Sequence, residues 1–109
     1  MRAYAAGLLD GEGCIRWNRT PTVEITNKHI GVLLMLSNIW KGRVREKGPG
    51  VFVWCIYGDN AVRFLLEEGR YTIIKFPQVF YILLARDSKG DEQTSHIENV
   101  RRLKRVYTN

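Results

Sequence analysis

The sequence predicts an α+β fold in which four antiparallel strands carry the helices on one face, in the order αββαββα with a trailing helix. Three observations lead there. Two pairs of short segments alternate apolar and polar residues around turn chemistry, Thr20-Pro21 in the first pair and Gly48-Pro49-Gly50 in the second. Stretches with apolar residues at helical spacing stand before, between and after these hairpins. Glycines mark where those stretches stop. A length of 109 residues with 45% apolar composition suits one domain with its own core.

Residues 2–10, RAYAAGLLD, are mostly strong helix formers and run into the breaker Gly11-Glu12-Gly13. Residues 14–19 alternate as a strand, and residues 22–26 do so again, with Val23 and Ile25 on one face and Thr22, Glu24 and Thr26 on the other. Asn27 is placed to cap a helix over 29–40, for which Gly42 is the stop signal. Residues 43–47 and 51–57 form the second hairpin. A third helix covers 60–68, a fourth 76–86, and after a polar loop at 87–94 a basic helix covers 96–107. One domain therefore spans 1–109: a first helix at 2–10, sheet and second helix at 14–57, and C-terminal helices at 59–109.

Composition narrows the function classes. The apolar runs at 31–40 and 76–85 fall short of the ~20 residues that a membrane helix needs. Asp10 and Glu12 interrupt the N-terminal segment too early for a secretory signal, so an intracellular protein without a membrane partner is expected. Cys14 and Cys55 have no CxxC spacing and lie far in sequence from His29 and His96, which argues against zinc and for reduced thiols on strands. Seventeen Lys plus Arg against eleven Asp plus Glu give a net charge of +6, which favours polyanionic partners.

With all helices on one side, the other sheet face is bare. Alternation assigns Arg16, Asn18, Thr22, Glu24, Thr26, Arg43, Arg45 and Lys47 to it, with Arg19 at the end of the first strand. Arginines there suit guanine edges or phosphates, and Glu24 suits a cytosine amino group. The same residues also suit a merely solvated face. Ile15, Trp17, Phe52, Trp54 and Ile56 turn toward the helices, leaving Val51, Val53, Cys55 and Tyr57 for the other side; core is expected for these aromatics. Arg101, Arg102, Lys104 and Arg105 form a basic stretch that serves either as a phosphate clamp or as a solvated helix face.

On the first helix, Ala3, Ala6, Gly7 and Asp10 share one face, and Tyr4, Leu8 and Leu9 fall largely on another, directed to the core. The small-residue strip admits a second helix at close range, or an aromatic of the same chain. Glu12, just beyond the helix end, sits at the negative pole of the macrodipole. Two such carboxylates brought together would need a cation between them, and oxygen donors suit Mg²⁺.

The segment Ala6-Gly7-Leu8-Leu9-Asp10-Gly11-Glu12-Gly13 resembles the signature of the LAGLIDADG homing endonucleases, and the element order matches over most of the chain. Ala5 stands where the family name begins with Leu, Gly11 replaces an Ala and Glu12 an Asp. The resemblance implies a saddle-shaped sheet and, with a single motif, a homodimer formed through Ala3, Ala6, Gly7 and Asp10. It implies cleavage of double-stranded DNA at a near-palindromic site with Mg²⁺, two or three divalent ions per dimer. Glu12 and the Gly11 backbone would be metal ligands, and Asp10 would shape the turn and interface. Lys75 would sit beside the scissile phosphate, although its neighbours Phe76-Pro77 are less polar than usual. Asn27 matches a polar residue near the metal-bound water, a role its capping position explains equally well. Strands of about six residues span ~20 Å, so two sheets would cover on the order of a dozen or more base pairs. A non-cleaving DNA-binding regulator, or a maturase acting on intron RNA, would share the fold. An unrelated basic module would be a monomer without metal-dependent nicking.

Overall fold

A computed structural model describes residues 2–72 and 75–107, with the side chains at 2–4, 6, 10, 70 and 104–107 outside that description. The elements are α1 (Arg2–Glu12), β1 (Gly13–Trp17), β2 (Pro21–Asn27), α2 (Ile30–Trp40), β3 (Arg43–Gly48), β4 (Val51–Tyr57), α3 (Asp59–Glu68), a 3₁₀ turn (Gly69–Tyr71), α4 (Phe76–Arg86) and α5 (Gly90–Tyr107). The strands form one antiparallel sheet in the order β1-β2-β4-β3. This is the expected α+β architecture, and among the described residues no helix is long and apolar enough to cross a membrane.

Register explains why one face is core. Ile15, Val23 and Ile56 align across three strands, and Ile25, Trp54 and Val44 form the next row on the same side. Against them pack Ala5 and Leu9 of α1, Leu33, Leu36 and Trp40 of α2, Phe64 and Leu65 of α3, Val79 and Ile82 of α4, and Val100 of α5. Each fully buried aliphatic side chain contributes roughly 1.5–3 kcal/mol. Phe64 meets Trp40 and Trp54 edge-on, at centroid distances of 4.9 and 5.2 Å. Both indole N–H groups are satisfied: Trp40 donates to Glu67 Oε2 at 2.8 Å and Trp54 to the Lys41 carbonyl at 2.7 Å. These bonds let large rings be buried without an orphaned donor.

Several boundaries differ from the sequence expectation. The first helix does not stop at Asp10 but continues through Gly11 and Glu12. Gly13 makes the sharp exit possible, because a Cβ there would lie 2.5 Å from the Leu9 carbonyl oxygen. Asn27 ends β2 and is not the helix cap. His29 occupies the N-cap position, and its amide donates to Asn27 Oδ1 at 2.8 Å. The last helix starts at Gly90, six residues before the expected 96, since the polar segment offers no apolar period yet places Asp91 and Glu92 favourably in the first turn.

Candidate nucleic-acid interface and metal centre

The face opposite the helices is built by the same pairing. Cys14, Glu24, Cys55 and Arg43 line up in one row across the sheet, Arg16, Thr22 and Tyr57 in the row beside it, and Thr26, Val53 and Arg45 in the row on the other side. Arg43 and Arg45 are exposed, Arg16, Glu24 and Thr26 half-buried. An open depression of about 290 Å³ is lined by Arg16, Glu24, Arg43, Arg45, Cys55 and Tyr57. The Arg16 guanidinium is ion-paired through Nη1 with Glu24 Oε1. Burial pushes the Cys55 thiol above its ordinary value, as does the Glu24 carboxylate, against the opposing pull of Arg16 and Arg45. Cys55 is thus a protonated thiol at neutral pH. Cys14 and Cys55 stand two strands apart, ~9–10 Å, too distant for a disulfide with each other.

Three placements, those of Asn18, Arg19 and Lys47, need correction, and Thr22 is in the expected face but buried. β1 ends at Trp17, so Asn18 and Arg19 belong to the turn, where Arg19 has a positive φ of 65°. Asn18 still borders a second depression together with Arg16, Thr22 and Tyr57. Thr22 lies in the face but is buried, its hydroxyl donating to the Thr20 carbonyl at 3.1 Å, which leaves little for a ligand to touch. Lys47 falls at a β-bulge between Glu46 and Gly48 and has no cross-strand partner, which takes it out of the alternation. Two features escaped the sequence. Tyr57, which alternation places on the open face, is 65% exposed there, a degree of exposure that alternation does not give. The Arg16–Glu24 pairing is a diagonal contact that only the register reveals.

At one end of the sheet Glu12 approaches Asn27. Glu12 is the last residue of α1 and is exposed. Pairing of Gly13 with Ile25 brings it to the end of β2 that carries Asn27. Lys75 stands at the N-cap of α4, which packs on β1, and is buried. The C-terminal turn of a helix leaves backbone carbonyls without intrahelical partners. Glu12 and the Gly11 carbonyl are therefore hard oxygen donors of the kind that suit Mg²⁺, which usually takes one or two carboxylates and completes its shell with water and phosphate. Among the described residues no three His, Cys, Asp or Glu side chains cluster. Of the small-residue strip, Gly7 is exposed, with open space where a Cβ would be; the side chains of Ala3, Ala6 and Asp10 lie outside the described residues, and Gly11, outside the strip, is exposed and open in the same way.

No family model matches the sequence, and no curated protein does. Solved structures do. The archaeal intron-encoded homing endonuclease I-Vdi141I, complexed with DNA, superposes with a TM-score of 0.71 at 18% identity over 95% of this chain and 82% of that one. The homing endonuclease I-CvuI, in complex with uncleaved DNA in the presence of magnesium, gives 0.69 at 18% identity over 99% and 94%. The LAGLIDADG meganuclease I-AabMI, bound to uncleaved DNA, gives 0.70 at 16% identity over 100% of this chain but 49% of its own. The fold is that of the LAGLIDADG homing endonucleases. In this LAGLIDADG fold α1 carries the segment that resembles the motif, from Ala6 running into β1 at Gly13, with Glu12 at the junction of helix and sheet.

Proposed function

We propose that this protein is a site-specific double-stranded DNA endonuclease, dependent on a divalent metal and acting inside the cell as a homodimer. One observation carries the reading: a helix-free sheet face bearing Arg16, Arg43 and Arg45 ends beside an exposed helix-terminal carboxylate, Glu12, in a fold whose solved examples include DNA complexes. The sheet face would lie against base edges and phosphates. Glu12 and the Gly11 carbonyl would hold Mg²⁺. When bound, the ion would supply Lewis-acid stabilisation of phosphate charge and a more acidic water. The Lys75 ammonium would offset the charge that develops on the phosphate oxygens. Because Asn27 Oδ1 accepts the His29 amide, its carboxamide NH₂ is the group left to orient a water. A homodimer is supported by the open Gly7 and Gly11 positions on α1 and by the match of the whole chain to about half of I-AabMI.

The test is paired. Wild type is incubated with a random duplex library in Mg²⁺ and the new ends are sequenced; Glu12→Gln is then compared on the selected site, with gel-shift affinity measured in Ca²⁺. Cleavage should fall by orders of magnitude while binding persists or tightens, since a carboxylate near phosphates is removed. Cleavage undiminished in a folded Glu12→Gln protein would remove Glu12 as a ligand. Binding without any ends from wild type would identify a non-cleaving protein of the same fold.

A further inference from the structure

We propose that Arg16 and Glu24 form one reading unit for a guanine base, with Glu24 the positioning residue and Arg16 the contact. The inference rests on the DNA-binding reading above and names part of the sequence that the face selects.

Pairing of Arg16 with Thr22 and of Cys14 with Glu24 sets Glu24 diagonal to Arg16 on the open face. The guanidinium engages the carboxylate through Nη1. The two are not equally accessible, because the Arg16 side chain is 41% exposed and that of Glu24 17%. The arginine therefore stands outward and the carboxylate beneath it. A guanidinium carries five N–H donors in a rigid fork. With Nη1 engaged, the edge formed by Nε–H and Nη2–H remains, and two parallel donors match guanine O6 and N7.

Charge selects the base over the backbone. An unpaired arginine on a basic face takes phosphate as readily as guanine. Beside Glu24 a phosphate oxygen meets a negative charge at short range, whereas the guanine edge is neutral and meets no such repulsion. The ion pair also fixes a long side chain before the ligand arrives, so less rotamer freedom is lost on binding. Arg43 and Arg45 differ: both are exposed on the same face and have no ion pair among the described residues. They are free to neutralise phosphate, and Arg16 is the arginine whose charge is already compensated.

The experiment selects bound duplexes from a random library in Ca²⁺ with the full-length protein, comparing wild type, Arg16→Ala, Arg16→Lys and Glu24→Gln. Wild type should enrich guanine at one symmetry-related pair of positions. Arg16→Ala and Arg16→Lys should each reduce that preference by about 5- to 150-fold at those positions alone. Glu24→Gln, nearly isosteric, should lose the same preference at the same positions, yet bind unselected duplexes more tightly and with a steeper dependence on salt, by about one phosphate per protomer. Glu24→Gln with an unchanged guanine preference, or with a loss at different positions from the Arg16 variants, overturns the unit. Guanine preference retained by both Arg16 variants overturns it independently of how Glu24→Gln folds. A wild type that selects no sequence overturns this proposal together with the DNA-recognition reading; a selective wild type with an unaltered Glu24→Gln removes the pairing alone.

Discussion

Between α2 and β3 the chain passes through two adjacent residues with left-handed φ, Lys41 at 69° and Gly42 at 94°. Lys41 has ψ of −157°, a region where side chains are strained, and it is held there from both sides: its amide donates to the Ser37 carbonyl at 2.9 Å and its carbonyl accepts the Trp54 indole. A Cβ on Gly42 would sit 2.2 Å from Ile56 Cγ2 and 2.7 Å from the Cys55 carbonyl oxygen. Gly42→Ala should therefore destabilise the fold by about 3 kcal/mol, overpacking and strain together. Lys41→Gly should stabilise it by about 1 kcal/mol, the relief of ~1–3 kcal/mol of strain less the ~0.5–1 kcal/mol entropic cost of glycine. Urea-denaturation midpoints measure both, and a stabilised Gly42→Ala would refute the packing argument. At this scale the sequence was partly legible. Gly42 reads as a helix stop, but what makes it obligatory, Ile56 and Trp54, lies more than ten residues away. Glu12 was legible because its motif is local, while its place inside the helix was hidden by two neighbouring glycines, of which only Gly13 is constrained by a close approach.

Strands were legible where their period of two acts on a buried face. Val23 and Ile25, or Trp54 and Ile56, can satisfy the core in only one register, so the opposite face followed at once for Arg16, Glu24, Arg43 and Arg45. Strand ends were not legible, because hairpin loop length and bulges answer to backbone geometry; Asn18, Arg19 and Lys47 were misplaced for that reason. The open face and the last helix carry arginines of different standing. Arg101 donates to Glu98 at 2.8 Å and Arg102 to Asn99 at 2.8 Å, both within α5. Arg45 has no such partner among the described residues and faces away from the core across from Val53. Arg45→Ala should weaken binding to all duplexes and lower the slope of log affinity on log salt by ~1 per protomer, whereas Arg101→Ala should change that slope by less than half as much. Fluorescence titration over a salt series distinguishes them. Equal slopes for wild type and Arg45→Ala would mean that β3 lies outside the phosphate track.

For the molecule as a whole, the proposed homodimer would take one half of its recognition surface from the sheet of each copy, related by a twofold axis through α1. Gly7 is open to solvent on that helix, with nothing near the position of a Cβ. Gly7→Leu should push paired helices apart, giving a monomeric mass by light scattering and weaker binding to full sites; a wild type that is monomeric with and without DNA would contradict the arrangement. The strand order leaves β1 and β3 as the sheet's two margins. β3 runs Arg43-Val44-Arg45-Glu46-Lys47-Gly48 and is broken by the bulge before Gly48. A margin so charged and kinked is a poor template for strand addition by another molecule. The residues proposed to face DNA from that strand, Arg43 and Arg45, are thus also part of what makes this edge unsuited to edge-to-edge pairing. Any route to a new target that replaces Arg43 or Arg45 with apolar residues, to meet thymine methyls for instance, erodes this protection, so solubility limits how far the specificity of β3 can drift.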